Sequence, residues 1–233
     1  MENTLKTNLL TAGIAVACGF LGAGAWSYSG LGNAQTKGYL LENPQILPEM
    51  AEAYQRNESA IRLSQVAEEV VVAFPGAVLG NPDGSKVLVE FADYNCGYCR
   101  QSMVDVERLI EEDPELKVVM REFPIFNGSE MAARMALAAA KQGKYAEFHR
   151  AMFERAPATP ENINAAAVAA GLDMDQALQD GTSEEIELEL ARTQALAQQL
   201  GFAGTPSWVT GDQAFEGAVG YNGLKSAIDE SEG

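Results

Sequence analysis

Positively charged residues are scarce in this sequence. Its 233 residues include 16 lysines and arginines against 33 aspartates and glutamates, which gives a formal net charge of −17 at pH 7. Nucleic-acid binding depends on clustered lysine and arginine side chains that neutralise phosphates, and no basic patch could dominate this acidic background. We therefore expect no nucleic-acid partner, and we interpret the acidity mainly as a contribution to solubility.

Histidine and cysteine are also scarce. There is one histidine, His149, and there are three cysteines, two of which form the motif Cys96-Gly97-Tyr98-Cys99. That spacing is half of a zinc site, but a closed structural zinc site needs four such ligands. Because Cys18 lies in an N-terminal apolar run and His149 in a distant helical stretch, we expect no zinc site. The motif instead indicates redox chemistry.

The context of the motif supports this interpretation. Residues 86–91 predict a short buried strand that follows the turn at residues 81–84. A helix is predicted to start at or near Cys96, because apolar side chains recur after it at helical spacing. These side chains are Cys99, Met103, Val106 and Ile110.

A helix that starts at Cys96 has a chemical consequence. The unpaired N–H groups and the positive end of the helix dipole favour the Cys96 thiolate over the thiol. Cys99, one turn further along, lies close enough to form a small disulfide ring. We therefore predict that Cys96 is the attacking sulfur and Cys99 the resolving sulfur.

The N-terminal residues predict a targeting segment. Lys6 precedes a run without charge from residue 9 to residue 26. Ala23-Gly24-Ala25 fits a signal-peptidase site, but the run is also about long enough for a membrane anchor, so both alternatives stay open. Cys18 lacks the upstream leucine of a lipoprotein signal. We predict that residues 1–37 form this segment and a linker, and that the rest of the chain lies in a bacterial periplasm, either soluble or anchored by residues 9–26.

The rest of the chain predicts helices around a sheet. Residues 38–68 predict a helical extension that starts with Asn43 as N-cap before Pro44, and its apolar side chains could pack on their own domain or join protomers. Residues 69–233 predict one α/β domain with a helical insertion at about residues 128–201. Its expected strands are 69–73, 86–91, 116–123, 207–210 and 214–216, its last helix is 221–229, and Thr182 with Glu185 predicts a capping box.

The segment Phe91–Cys99 resembles the active site of the DsbA-like thioredoxin-fold thiol–disulfide oxidoreductases, and it is most similar to the ScsC-type (suppressor of copper sensitivity) branch. Gly204-Thr205-Pro206-Ser207 resembles the cis-proline loop of that family. The resemblance implies an α/β thioredoxin fold with an inserted all-helical subdomain and an N-terminal helical extension. It also implies that Glu90 is a buried acid that takes the Cys99 proton, and that the Thr205–Pro206 bond is cis and receives an extended substrate.

The implied function is thiol–disulfide exchange on cysteine-containing exported proteins, without a bound cofactor and with a membrane redox partner that recharges the cysteines. Gly97 and Tyr98 carry no positive charge, which predicts a less extreme oxidant than the family's histidine-containing members. The motif and Thr205 resemble the isomerase pattern, whereas the helical insertion resembles the oxidase plan, so the direction of electron flow stays open. An alternative function is Cu(I) binding by the same two thiolates.

Five further residues have predicted roles. We expect His149 to be a packing or surface residue, because no candidate acid or nucleophile is near it in sequence. Trp208 and Phe215 are expected in the core. Asp93 and Tyr94, immediately before the motif, are candidate substrate contacts, although packing roles are the more common outcome for such residues.

Overall fold

A computed structural model describes the backbone of residues 2–28 and 31–231, and the side chains of residues 11–24, 32–33 and 35–231. The contacts divide the chain into two units, Met1–Tyr54 and Gln55–Gly233. The predicted extension, residues 38–68, is thus shared between the two units.

The first unit is helical. It contains α1 (Glu2–Tyr28), α2 (Leu31–Glu42), a 3-10 turn (Pro44–Ile46) and the first part of α3 (Leu47–Ser64). Pro44 starts the 3-10 turn as predicted, but the Asn43 side chain does not cap it and instead donates to the Tyr39 carbonyl at 2.8 Å.

Helix α2 starts within residues 1–37, where the sequence predicted a targeting segment and a linker. In the part of the chain that the structure describes, no helix is both long and apolar enough to cross a membrane.

The second unit is built on a five-stranded sheet in the order β1-β3-β2-β4-β5. Its strands are β1 (Val78–Gly80), β2 (Lys86–Ala92), β3 (Leu116–Glu122), β4 (Ser207–Thr210) and β5 (Gln213–Glu216). Only the central pair β2 and β3 is parallel, and each of the other neighbours is antiparallel. This sheet, with helices on both faces, is the predicted thioredoxin fold.

Helices cover both faces of the sheet. Between β3 and β4 lie the five helices of the predicted insertion, which interrupts the chain between two strands of the sheet. The helices of this unit are α4 (Ala67–Val70), α5 (Gly97–Glu112), α6 (Ser129–Lys141), α7 (Tyr145–Arg155), α8 (Pro160–Ala169), α9 (Met174–Gly181), α10 (Glu184–Leu200) and α11 (Gly220–Glu230).

Successive side chains along β2 point to opposite faces of the sheet, and this alternation decides which of them face the active site. Leu88 packs with α5 and α6 on one face, whereas Val89 and Phe91 pack on the other face against the last turns of α10. Glu90 therefore points towards α5. Trp208 is fully buried on this same face, as predicted, and Phe215 is half-buried against it.

The predicted capping box of Thr182 and Glu185 is wrong, and a simple N-cap lies one residue further on. Ser183 is the N-cap of α10, and its hydroxyl accepts from the Ile186 N–H. The Thr182 hydroxyl donates back to the carbonyl of Gln179 at 3.0 Å, so it is not available to cap the next helix. A serine and a threonine side by side are equivalent in sequence, and only the end of the preceding helix separates them.

The predicted first strand at residues 69–73 is wrong, because the backbone there bonds to a side chain. The Arg121 guanidinium donates to the carbonyls of Glu69, Val70 and Val72 at 2.5–3.1 Å, and it donates to Glu189 Oε1 at 2.7 Å. These carbonyls are thus paired with the guanidinium and not with a neighbouring strand. Residues 67–70 form α4 instead, and the first strand is the short edge strand β1.

We expect the substitution Arg121→Met to lower the free energy of unfolding by about 3–5 kcal/mol, because it leaves a buried carboxylate and several buried carbonyls without a donor. Urea unfolding at pH 7 measures this change. The matched control is Lys225→Met, which removes an exposed pair with Asp229 and should leave the midpoint unchanged. Equal urea midpoints for both variants would contradict a stabilising role for the buried hydrogen bonds of Arg121.

Candidate active site

Cys96 is the N-cap of α5, as the helix start predicted. Its backbone is extended (φ −83°, ψ 115°) and the helix begins at Gly97, so the open N–H groups of the first turn lie beside the sulfur. The residue is only 4% exposed. Its thiol donates to the Thr205 carbonyl oxygen at 3.2 Å, which places the sulfur against a loop 109 residues further along the chain.

Cys99 lies in the first turn of α5 and is fully buried. Burial raises the pKa of its thiol well above the usual range, and the negative charge of Glu90 raises it further. Contacts with the Asp93 backbone and the Thr205 hydroxyl act in the opposite direction but are weaker. The Cys99 thiol therefore needs a nearby base before it can attack.

The loop opposite the motif carries a cis Thr205–Pro206 bond, as the resemblance implied. The Glu216 carboxylate holds this loop, because Oε1 accepts from the N–H groups of Ala203 at 2.7 Å and Gly204 at 2.9 Å. The Pro206 carbonyl accepts from Gly217 N–H at 2.8 Å. Glu216, which the sequence did not single out for a role in the site, thus positions the carbonyl that receives the Cys96 thiol.

Glu90 is buried on β2, with 2% of its surface exposed, and it faces α5. Burial, and then the charge of Glu122, raise the pKa of Glu90 to about 8. Its burial agrees with the buried acid that the resemblance implied. A carboxyl with a pKa near neutrality exchanges protons at physiological pH, which is what a general acid or base requires.

A second buried carboxyl, Glu122, lies on the adjacent strand. Ala92 pairs with Glu122 and Glu90 pairs with Met120, so both acids point to the same face of the sheet. Glu122 Oε1 accepts from the Tyr145 hydroxyl at 2.6 Å and from the Tyr94 hydroxyl at 3.1 Å. Burial raises the pKa of Glu122 to about 8, although both tyrosines favour its ionised form.

Sequence analysis did not identify Glu122, although its strand contains the signal. The residue ends an apolar strand in the same way that Glu90 interrupts one, and the same alternation argument applies to it. His149 is buried beside this acid, with Nδ1 3.0 Å from the Tyr94 hydroxyl. The packing role expected for His149 is therefore observed, and the surface alternative is wrong.

Asp93 does not contact substrate, because its carboxylate is buried and fully used. Oδ2 accepts from the N–H groups of Ile125 and Phe126, and Oδ1 accepts from Asn95 N–H and the Ser129 hydroxyl. Asp93 thus binds the active-site loop to the start of α6.

Two neighbours of Asp93 also serve the interior. Tyr94 is 2% exposed and its hydroxyl bonds in the interior, so its predicted substrate contact stays a prediction. Asn95 extends the connection that Asp93 begins, because its side chain accepts from Ala158 N–H at 2.8 Å and donates to the Asn127 carbonyl at 3.1 Å. The residues before Cys96 therefore hold the site together.

The surface around Cys96 is open. Tyr98 is 66% exposed, and a Cβ atom built on Gly97 would meet no other atom within 4 Å. A cleft of about 220 Å³ lies beside the sulfur, lined by Tyr94, Asn95, Cys96, Gly97, Arg100, Ala156 and Pro157. Sequence analysis missed Arg100 and Pro157, because the first follows the motif and the second comes from the insertion.

Metal binding has a limited set of candidate ligands. Within the described part of the chain, no group of three or more histidine, cysteine, aspartate or glutamate side chains is arranged to hold a metal ion.

Comparison with known proteins identifies the class. The chain belongs to the family described as DSBA-like thioredoxin domain, whose sequence model matches residues 87–229. This confirms the predicted family, the thioredoxin fold and the class of thiol–disulfide oxidoreductase. The structure is similar to a thioredoxin-like oxidoreductase from Silicibacter pomeroyi, with 43% identity, a TM-score of 0.64, and coverage of 66% of this chain and 91% of that one.

Two further solved structures are similar. The thiol-disulfide exchange protein alpha-DsbA2 from Wolbachia pipientis shares 29% identity (TM-score 0.70; 76% of this chain, 97% of that one). A linker-deletion variant of ScsC from Proteus mirabilis shares 25% identity (TM-score 0.69; 86% and 92%), in agreement with the predicted branch. Curated relatives include a Na⁺/H⁺ antiporter NhaA from Salinispora tropica, 25% identical over 155 residues; the chain spans about a quarter of its length.

The raised pKa of Glu90 makes a prediction about stability. A carboxyl whose pKa rises on folding is protonated in the folded state at pH values where the unfolded chain has lost that proton. Stability therefore falls as the pH rises from about 4.5 to about 8. We expect Glu90→Gln to remove this loss, on the order of 4 kcal/mol, so that the variant gains stability over the parent between pH 5 and pH 9.

Urea unfolding at pH 5, 7 and 9 measures this difference. The exposed residue Glu187 provides the control, because Glu187→Gln should track the parent protein at each pH. A difference between Glu90→Gln and parent that stays constant with pH would contradict the raised pKa.

Proposed function

We propose that this chain is a protein thiol–disulfide oxidoreductase or isomerase that acts on exported proteins through Cys96 and Cys99. The observation that carries this proposal is the position of the Cys96 thiol, which lies at the start of α5 and within hydrogen-bonding distance of the Thr205 carbonyl beside cis Pro206. A reactive cysteine at a helix N-terminus, a buried partner one turn away and a buried acid on the strand beneath form a complete exchange site.

The first step joins enzyme and substrate. The Cys96 thiolate attacks one sulfur of a substrate disulfide, so that a Cys96–substrate disulfide forms and the substrate S–S bond breaks. The second substrate sulfur leaves as a thiolate and takes a proton from water. The start of α5 stabilises the negative charge on Cys96 before this step and has no such effect on the mixed disulfide.

The second step depends on Glu90. The Cys99 thiol passes its proton to the Glu90 carboxylate, directly or through a water, and the resulting thiolate attacks Cys96. A Cys96–Cys99 disulfide forms, and the substrate leaves with both of its sulfurs reduced. Two electrons pass from the cysteine pair to the substrate, and the reverse sequence oxidises a substrate dithiol. The cysteines carry the electrons, so the cycle needs no bound cofactor.

We propose that the substrate lies across the cis-proline loop. An extended chain beside Thr205 and Pro206 can exchange main-chain hydrogen bonds with the loop. The Thr205 carbonyl now accepts from the Cys96 thiol, and it becomes free for a substrate N–H once Cys96 forms a disulfide with the substrate. The open surface at Gly97 leaves room for the substrate backbone. The exposed ring of Tyr98 offers an apolar contact without a defined sequence preference.

The uncharged residues between the cysteines support an isomerase or reductase direction. Neither Gly97 nor Tyr98 adds a positive charge to the helix start, so the Cys96 thiolate is stabilised less than it would be beside a histidine. A less stable thiolate makes the reduced form less favourable, and the disulfide a weaker oxidant.

The compartment and the partners follow from the targeting segment. The uncharged run at residues 9–26 supports export, and the periplasm is the compartment that supplies cysteine-containing exported proteins. A membrane redox protein would then recharge the cysteine pair. The exposed apolar side chains of Leu47, Met50 and Tyr54 on α3 support self-association as a second use of the extension.

Cu(I) binding by Cys96 and Cys99 is the less favoured alternative. Two thiolates suit Cu(I), but within the described residues no third ligand is grouped with them.

We expect Cys96→Ser to abolish exchange with a disulfide-containing substrate protein, and Cys99→Ser to accumulate a mixed disulfide at Cys96 because no resolving sulfur remains. Non-reducing gels with mass spectrometry detect the trapped species. Cys18→Ser is the matched control and should keep full activity, because Cys18 is exposed on α1 and lies outside the site. Turnover by Cys96→Ser would refute the mechanism, whereas stoichiometric copper with negligible turnover would favour the alternative.

We expect the reduction potential of the Cys96–Cys99 pair to be more reducing than about −120 mV, the value of a strong periplasmic oxidant, because the motif adds no positive charge. Equilibration with glutathione buffers measures it. Refolding of a scrambled-disulfide substrate should proceed in parallel. A potential near that of the strong oxidant, without unscrambling, would reverse the proposed direction.

A further inference from the structure

The Tyr94 hydroxyl lies between an acid and an imidazole. Its oxygen is 3.1 Å from Glu122 Oε1 and 3.0 Å from His149 Nδ1, and all three side chains are buried. The three residues come from β3, from the loop after β2 and from α7. None of them is used in the exchange steps described above.

Donor counting allows two arrangements of hydrogen bonds in this chain. A phenol has one O–H group, so Tyr94 can donate to Glu122 or to His149 but not to both. If it donates to an ionised Glu122, His149 Nδ1 carries a hydrogen and donates to Tyr94. If Glu122 is protonated and donates to Tyr94, then Tyr94 donates to Nδ1, and the imidazole hydrogen is on Nε2.

The two arrangements differ by one proton and are connected by short transfers. We propose that Glu122, Tyr94 and His149 form a proton wire between the buried acid pair and the solvent-filled groove between α5 and α7. The geometry supports this proposal. The Tyr94 hydroxyl lies within hydrogen-bonding distance of both Glu122 and His149, and a hydroxyl can donate one hydrogen bond while it accepts another.

His149 is at the outer end of the wire. It lines a groove of about 470 Å³ whose walls include Met103, Glu107 and Glu111 from α5 and Ala146 and Arg150 from α7. Nε2 lies on the opposite side of the ring from Nδ1 and therefore points away from Tyr94. An ion pair between Arg150 and Glu107, at 2.8 Å, spans the two helices.

The charges around the wire support its operation near neutral pH. Burial, and then Arg150, lower the pKa of His149 to about 3, so the imidazole stays neutral and relays protons without holding a charge. The pKa of Glu122 is about 8. The charged and titratable groups around the wire are Glu90 from β2, Asp93 from the loop after it, Tyr145 and Arg150 from α7, and Glu107 and Glu111 across the groove.

The proton balance of one passage is simple. A proton held by Glu122 moves to the Tyr94 oxygen while the Tyr94 hydrogen moves to Nδ1, and the hydrogen on Nε2 leaves to water in the groove. Glu122 is then ionised and no covalent bond other than those to hydrogen has changed. Uptake of a proton at Nε2, with both transfers reversed, restores the protonated Glu122 and the Nε2–H imidazole.

The wire serves the step that removes the Cys99 proton. A bound substrate covers Cys96, so an exit on the α5–α7 side lets the acid pair equilibrate with solvent during the reaction. This use of the wire rests on the proposed function, because it assumes that Glu90 accepts the Cys99 proton. The wire itself is a property of the folded protein and is testable without any thiol exchange.

The single histidine of the chain makes the test direct. Long-range ¹H–¹⁵N NMR of the untagged full chain identifies which nitrogen of His149 carries the hydrogen. We expect the Nε2–H form below about pH 8 and the Nδ1–H form above it, with the ring neutral throughout. One tautomer across pH 6–10 would overturn the wire, and so would titration of the ring itself in that range.

Two tyrosines make a matched pair of variants, because both donate to Glu122 Oε1 and both contact the His149 ring, but only the Tyr94 hydroxyl hydrogen-bonds to it. Tyr94→Phe should abolish the tautomer switch. Tyr145→Phe should keep it and move its midpoint to higher pH, because Glu122 loses one donor to its ionised form. A tautomer switch that survives in Tyr94→Phe would overturn the wire, whether or not Cys96 carries out exchange. The exchange mechanism is tested separately by Cys96→Ser, and its outcome does not depend on the tautomer of His149.

Discussion

Two carboxyl groups buried on one face of the central sheet are the constraint on which the active site depends. Burial of a lone carboxylate is costly, so Glu90 and Glu122 both take up protons more readily than exposed acids do, with pKa values of about 8. Tyr94 and Tyr145 offset part of this cost at Glu122. The site thereby gains acids that titrate near neutrality, directly beneath a buried thiol that has to lose a proton.

The opposite face of the sheet carries a buried cation, Arg121, which stabilises the packing of the chain. Arg121, next to Glu122 in sequence, points the other way and binds the residues around α4 and the side chain of Glu189 on α10. One strand thus supplies an acid for chemistry and a cation for assembly. The loops above the sheet are held in a similar way by Asp93 and Asn95, so that the Cys96 region is stiff even though its outer surface is open.

The sequence predicted the parts of the site that are close together in the chain. Cys96, Cys99 and Glu90 lie within ten residues, and a strand followed by a helix places them without knowledge of the rest. The Thr205–Pro206 loop was found by resemblance, since no spacing argument joins it to Cys96. Glu122, Tyr145 and His149 were missed or left without a role, because they meet Tyr94 only after β3 and α7 have packed beside β2.

Two wrong predictions have the same physical origin. Residues 69–73 have the valine-rich composition of a strand, yet a single arginine 50 residues further along takes their carbonyls. Asp93 precedes the motif as a substrate contact would, yet its side chain turns inward. By itself, the sequence determined the redox pair and its helix, because these depend on local periodicity, and the family resemblance supplied the acid beneath them. Only the tertiary structure revealed the buried position of Glu122, the hydrogen bond between Tyr94 and His149, and the cleft beside Cys96. Each of them forms when segments that are distant in sequence pack together and bury these side chains.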